Sequence, residues 1–151
     1  SPPLFGSLRI LVIVGCDGIH DLMWVRLLPC LEEIHISSCM EMKELVPKVD
    51  GMEDVDCSSL LALRELHLHD LPGLESISPL PMLLPSLELI WVYACRRLKR
   101  LPLGSGCAKK IREISCDPEL WERLEWYQDV KGESLKSSFL PFCSLLPVVS
   151  S

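Results

Sequence analysis

The chain has 151 residues, enough to bury one sizeable core and short for two. Hydrophobic residues make up 48 % and charged residues 24 %, which excludes disorder over the whole length, while 29 leucines against 6 % aromatics favour a repeating aliphatic core over an aromatic-rich sandwich. The formal net charge of −6, with Lys and Arg scattered apart from Arg96, Arg97, Lys99 and Arg100, supplies no broad cationic face and argues against nucleic acid as a partner.

The chain opens Ser1-Pro2-Pro3 with no initiator Met, basic n-region or clean apolar h-region, and so reads as a piece of something longer. Aligned against itself, it returns one template, L-x-x-L-x-L-x-x-C/N, the leucine-rich repeat signature. Leu8, Leu11, Ile13 and Cys16 fit it first; Leu31, Ile34, Ile36 and Cys39 fit it next. In the following unit Leu63, Leu66 and Leu68 keep the pattern, but Leu71 replaces the turn cysteine and Asp70 offers a polar group one place earlier. Leu87, Ile90, Val92 and Cys95 restore it, and a weaker fifth unit near 108 keeps Ile111 and Ile114 without the alternating pair, as expected of a unit that closes the stack. After each strand-like segment a second apolar set recurs, Ile19 and Leu22, Met42 and Leu45, Leu74 and Ile77, Leu98 and Leu101, which should face inward from a return leg. A strand of about six residues with a short return leg cannot bury its apolar side alone, so each unit depends on the next.

Unit starts at 8, 31, 63 and 87 leave one long gap, whose surplus is 46–59, "VPKVDGMEDVDCSS". Its acids lack the D-x-[DN]-x-[DN]-G spacing of a calcium loop, so a solvated insert is expected, with the register between the second and third units open. Pro118 begins a helical pattern through Leu120, Trp121 and Leu124 that can extend to Tyr127, which reads as a C-terminal capping helix within 116–131, with Trp121 and Trp126 plugging the last repeat. Residues 132–151 mix Ser, Pro and apolar groups without period and are expected to form an irregular tail. The fold class is therefore α/β: a leucine-rich repeat solenoid over 1–115, with a short curved parallel sheet and mostly irregular or short helical return legs. Apolar runs such as 10–14 are far shorter than the roughly 20 residues a helix needs to span a membrane, so no span is expected.

Side chains alternate along a strand, so the residues between the repeat leucines point to the open face of the sheet. These are Ile10, Val12 and Val14; Glu33, His35 and Ser37; Glu65, His67 and His69; Leu89, Trp91 and Tyr93. Acids and imidazoles occupy the middle units and apolar groups the flanking ones. An exposed Leu89, Trp91 and Tyr93 would make a partner-binding patch, unless the insert, the tail or a neighbouring domain covers them. About a dozen such side chains are fewer than the 20 to 30 a stable interface uses, so this piece alone should bind weakly or carry part of a larger surface.

His35 and His67 share a column, with His69 beside them, which invites a metal reading, but further converging ligands are not evident and Cys39 belongs to the turn. No phosphate-cradling G-x-x-x-x-G-K-[ST], H-E-x-x-H helix or G-x-S-x-G elbow occurs, so no catalytic residue is assigned. An enzyme or metal protein using Cys and His stays open as the alternative, because such partners meet only in the fold. Eight cysteines would suit four bridges in a secreted protein, yet Cys16, Cys39 and Cys95 hold one repeat position where stacking needs no pairing, which favours reduced thiols over a disulfide framework.

The phrases "LPCLEEIHISSCMEMKELV", "LRELHLHDLPGLESI", "LPSLELIWVYACRRLKRLP" and the closing "WERLEW" resemble the C-terminal leucine-rich repeat region of plant coiled-coil nucleotide-binding disease-resistance proteins. The resemblance runs from about 8 to 126. It implies a cytoplasmic immune receptor whose repeats sense a pathogen effector or a modified host protein and restrain a nucleotide-binding switch domain. The ATP or ADP of such receptors belongs to that domain, whose motifs do not occur in these residues, so no cofactor is expected in this chain.

Overall fold

In the computed structural model, which describes residues 6–47 and 60–145, the alternating aliphatic segments become the strands of one sheet. Six strands lie among the described residues: β1 (Ile10–Val14), β2 (Glu33–Ser37), β3 (Glu65–His69), β4 (Leu89–Tyr93), β5 (Glu113–Cys116) and β6 (Cys143–Leu145). They are parallel and neighbour one another in chain order, as when each turn of a coil lies against the next.

Two aliphatic columns run across the strands on the inner face. Leu11, Ile34, Leu66, Ile90 and Ile114 are register partners in one, and Ile13, Ile36, Leu68, Val92 and Cys116 in the other. From β2 onward these side chains are at most 2 % exposed, whereas Leu11 and Ile13 are half-buried because β1 has a described neighbour on one side only. The register between β2 and β3 is in phase across the long insert, with Ile34 opposite Leu66 and Ile36 opposite Leu68. Of the 46–59 stretch itself, Val46 is buried and donates its N–H to Ile77 O at 2.8 Å, as part of the return leg; residues 48–59 lie outside the described residues.

The return legs supply the opposite wall. Met42, Leu74 and Leu98 are fully buried, as are Leu22, Leu45 and Ile77 to within 1 %. These legs are laddered too: Glu75 N–H donates to Lys43 O, Lys99 N–H to Glu75 O and Glu125 N–H to Lys99 O, at 2.8–3.1 Å. Gly73 leaves room for this approach, since a Cβ there would meet Met40 O at 3.0 Å. One short 3-10 turn, Met23–Leu27, buries Val25 under the first two units.

Every strand from β1 to β4 ends in a left-handed residue: Gly15 (φ 65), Ser38 (φ 54), Asp70 (φ 54) and Ala94 (φ 56). That conformation turns the chain off the sheet and costs a non-glycine residue about 1–2 kcal/mol. The turn is repaid in hydrogen bonds between units. Gly15 N–H donates to Ser37 O, Ser38 N–H to His69 O and Asp70 N–H to Tyr93 O, at 2.9–3.0 Å. Ala94 N–H has no fifth-strand carbonyl in that role; it donates to the buried carboxylate of Asp117, Oδ2, at 3.0 Å. One residue further on stand Cys16, Cys39, Leu71 and Cys95, so Leu71 fills the cysteine column with a fully buried leucine.

Three expectations are corrected. The fifth unit does not lose its alternating pair: Cys116, 1 % exposed, completes it beneath Val92, a sulfur taking the place of an aliphatic group. The fifth unit does not close the sheet either. The helix expected after Pro118 is present as α1 (Pro118–Arg123), preceded by extended Asp117, whose carboxylate serves Ala94 rather than the helix, but it is followed by a further strand rather than by the end of the stack. The tail expected to be irregular is ordered through residue 145. It forms α2 (Lys136–Phe139), the turn Leu140–Phe142 and β6, because Leu135 and Phe139 find apolar cover and become buried. Trp121 meets Trp126 edge-on at 5.2 Å, and Trp126 stacks on Phe139 at 5.7 Å, so aromatic packing ties the tail to the last repeat. Residues 146–151 lie outside the described residues.

The described cysteines are unbridged. The thiols of Cys16, Cys39 and Cys95 donate to the carbonyl two residues back, at 3.8, 3.5 and 3.5 Å, which gives each sulfur a local turn role. Burial pushes the Cys95 and Cys116 thiols up to about 12. Under native alkylation at about pH 8, near the pKa of a free thiol, exposed Cys30 should react while Cys95 and Cys116 stay unmodified until the chain unfolds, as read by mass spectrometry. Rapid labelling of either buried thiol in the folded chain would contradict this placement. Leu66→Ala should lower stability by about 2–5 kcal/mol in urea unfolding, whereas Ala94→Gly should raise it by up to about 1 kcal/mol by relieving the left-handed turn.

Candidate functional site

The face of the sheet turned away from the core carries the residues expected there from alternation. Ile10, Val12 and Val14 on β1 are 52 %, 59 % and 65 % exposed. On β2 and β3, Glu33, His35, Ser37, Glu65 and His67 are half-buried and His69 is exposed; on β4, Leu89 and Trp91 are half-buried. Tyr93 departs from the expectation of exposure. It is 7 % exposed, its hydroxyl lies 2.7 Å from the Ser115 hydroxyl, and its ring packs on Trp91 at 4.3 Å, so it supports the indole from behind rather than offering a free contact.

In-phase register brings the like residues of neighbouring units together. His35 stacks on His67 with ring centroids 4.1 Å apart and planes 11° apart. His67 and His69 lie at 6.1 and 6.0 Å from Trp91, so one band of rings crosses β2, β3 and β4. Each stacked histidine is also fixed along its own strand: His35 Nε2 is 2.9 Å from Glu33 Oε1, and His67 Nε2 is 2.9 Å from Glu65 Oε1. A carboxylate oxygen accepts, so Nε2 is the protonated nitrogen in both rings. Val12, Val14, His35, His67, His69 and Trp91 surround an open depression of about 260 Å³.

The two stacked histidines are held by one carboxylate each and gather no further ligand: among the described residues no group of three or more His, Cys, Asp or Glu side chains converges. Cys39 is fully buried on the other side of the sheet.

One row of this surface was not singled out from the sequence. The residue just before the first outward position is Arg9, Glu32, Arg64, Glu88 and Arg112 in successive units. These side chains form a ladder of alternating charge: Arg9–Glu32 at 3.5 Å, Glu32–Arg64 at 3.8 Å, Arg64–Glu88 at 2.8 Å and Glu88–Arg112 at 3.5 Å. The Arg64 guanidinium, hydrogen-bonded to Glu88, holds that carboxyl below its ordinary range. The backbone supports the same row, since Glu32 and Glu33 N–H both donate to Arg9 O, and Arg64 and Glu65 N–H to Glu32 O. The signal that could have found it is the sign change from unit to unit, visible only when the units are aligned by column.

Among the described residues, no helix is long and apolar enough to cross a membrane. A family model for plant disease resistance protein RPS2-like leucine-rich repeats matches residues 1–115. The chain is similar to probable disease resistance protein At1g12290 of Arabidopsis thaliana, 33 % identical over 151 residues, with 97 % of this chain and 16 % of that protein covered. It is similar also to probable disease resistance protein At5g47260 (37 % identical, covering 93 % of this chain and 15 % of that protein) and to disease resistance protein UNI (34 %, 92 % and 16 %), both of Arabidopsis thaliana. The chain thus spans about one sixth of the length of these relatives. No solved structure matches it. With its repeat template, its in-phase parallel strands and these likenesses, the chain belongs to the leucine-rich repeat family of plant disease resistance proteins.

Proposed function

We propose that this chain is the recognition and autoinhibition module of a cytoplasmic plant immune receptor. Its task is to hold a surface toward a pathogen effector or a guarded host protein and, before that partner arrives, to restrain the nucleotide-binding domain of the same receptor. It performs no chemistry of its own. The observation that carries this reading is the outward side of the sheet: Ile10, Val12 and Val14 are more than half exposed while Leu11 and Ile13 between them pack against the core, so these three side chains serve nothing inside the fold. Trp91, half-buried and backed by Tyr93, is a rigid, large contact group of the kind that dominates binding surfaces.

The ATP or ADP of the parent receptor would be held outside these residues. The sequence has no G-x-x-x-x-G-K-[ST] motif, and Gly15 N–H, a glycine N–H at a strand end, is bonded to Ser37 O. In this reading α1, α2 and β6 close the repeat stack, with Trp121, Trp126 and Phe139 as its plug.

In the full-length parent, Trp91→Ala and, separately, charge reversal at Glu33 and Glu65 should weaken partner capture or release restraint, seen as defence signalling without a partner. For Trp91→Ala the loss expected of a central anchor is about 2 kcal/mol, or roughly 30-fold in affinity. Circular dichroism and melting of the variant chains should stay near those of the unchanged chain. Unaltered capture and restraint in both variants would remove the outward face from the function.

A further inference from the structure

The depression on the outward face has an apolar end and an acidic border. Val12 and Val14 stand at one side of it and Trp91 at the other, with the stacked imidazoles of His35 and His67 between. Along its border runs the row Ile10, Glu33, Glu65, Leu89 and Glu113, paired in register from strand to strand. That row contains three carboxylates and no cation.

The nearby arginines make their ion pairs elsewhere, although Arg64 and Arg112 line one depression with Glu65 and Glu113. Arg9, Arg64 and Arg112 belong to the adjacent ladder and pair with Glu32 and Glu88. Among the described residues no Lys or Arg is ion-paired with Glu33, Glu65 or Glu113; Glu33 and Glu65 each spend one oxygen on the histidine two residues ahead. Neighbouring strands are about 4.8 Å apart, so Glu33 and Glu65 present a pair of carboxylates side by side, with Glu65 diagonal to Trp91 on the next strand. A guanidinium or ammonium group is the complement of that arrangement, since it can meet carboxylates and lie against an indole face together.

Resting on the recognition reading above, we infer that the outward face takes a basic and apolar protein segment, with Lys or Arg side chains against Glu33 and Glu65 and an aliphatic side chain in the Val12–Val14 end of the depression. An acidic segment would meet the carboxylate row unpaired. A nucleic acid would meet the same repulsion.

The test uses the full 151-residue chain and two synthetic peptides of about eight residues, long enough to cross β1 to β5 at about 4.8 Å per strand. One alternates Arg with Leu and the other Glu with Leu. Nitrogen-15 spectra follow the Trp91 indole, assigned with Trp91→Phe, and the ring nitrogens of His35 and His67. The basic peptide should shift all three, weaken as salt rises, and lose about fivefold in affinity for Glu33→Gln with Glu65→Gln, a loss set by the small worth of partly exposed ion pairs. Glutamine keeps an acceptor for each histidine, so the band of rings and the melting temperature should be unchanged. If the acidic peptide shifts the Trp91 indole as strongly, or if the double glutamine variant binds the basic peptide unaltered, the inference fails while the recognition reading stands. If neither peptide moves the indole, the inference fails, and the recognition reading is then judged by restraint in the full-length parent.

Discussion

The constraint on which the rest of this protein depends is that successive units stay in register. No unit buries its own aliphatic side; Ile34 is enclosed because Leu11 and Leu66 stand on either side of it, and Leu66 because Ile34 and Ile90 do. The left-handed turns after β1 to β3 serve the same end, since they free a backbone N–H to reach the next unit's carbonyl, and the one after β4 reaches the Asp117 carboxylate instead. A slip of one residue would carry the inner side chains to the outer face and break both ladders at once. Stability here is therefore a property of neighbours, and the surface inherits the same order. The stacked histidines, the ring band and the charge ladder are all products of the register that serves the core.

The division of labour between the two faces follows from this. Inner positions are interchangeable within narrow limits of size, as Leu, Ile, Val and even Cys116 show by sharing columns. Outer positions carry no such demand, and they differ sharply from unit to unit: aliphatic on β1, acidic and imidazole on β2 and β3, aromatic on β4. A scaffold whose core asks little of its outer residues is well suited to vary them, which is the physical basis for reading that face as the one that meets other proteins.

Much of the fold was legible because the repeat leucines announce both the period and the inward face, and Leu11, Ile34, Leu66 and Ile90 needed no further information to be placed. Three features were not. Cys116 was missed as a core residue because a thiol does not register in an aliphatic template, although it packs like one. The tail was missed because α2 and β6 have no period of their own: Leu135 and Phe139 are held by the surface that the previous repeat offers, a tertiary effect. Tyr93 was placed on the outward face, yet Trp91 on its own strand packs on its ring and Ser115 on the next strand meets its hydroxyl, a contact between strands that no single segment encodes. The outward positions could be enumerated from alternation alone; their pairing into Glu–His couples and a ring stack required the neighbour in space.

The alternation of Arg9, Glu32, Arg64, Glu88 and Arg112 has a consequence for how such a chain can lengthen or shorten. Excising the single coil that bears Arg64 would lay Glu32 beside Glu88, and excising the one that bears Glu88 would lay two guanidinium groups together. Taking out both, or inserting two, would keep opposite signs adjacent. Along this rim the alternation favours even steps in coil number over odd ones, so a parity rule is written into the charged row.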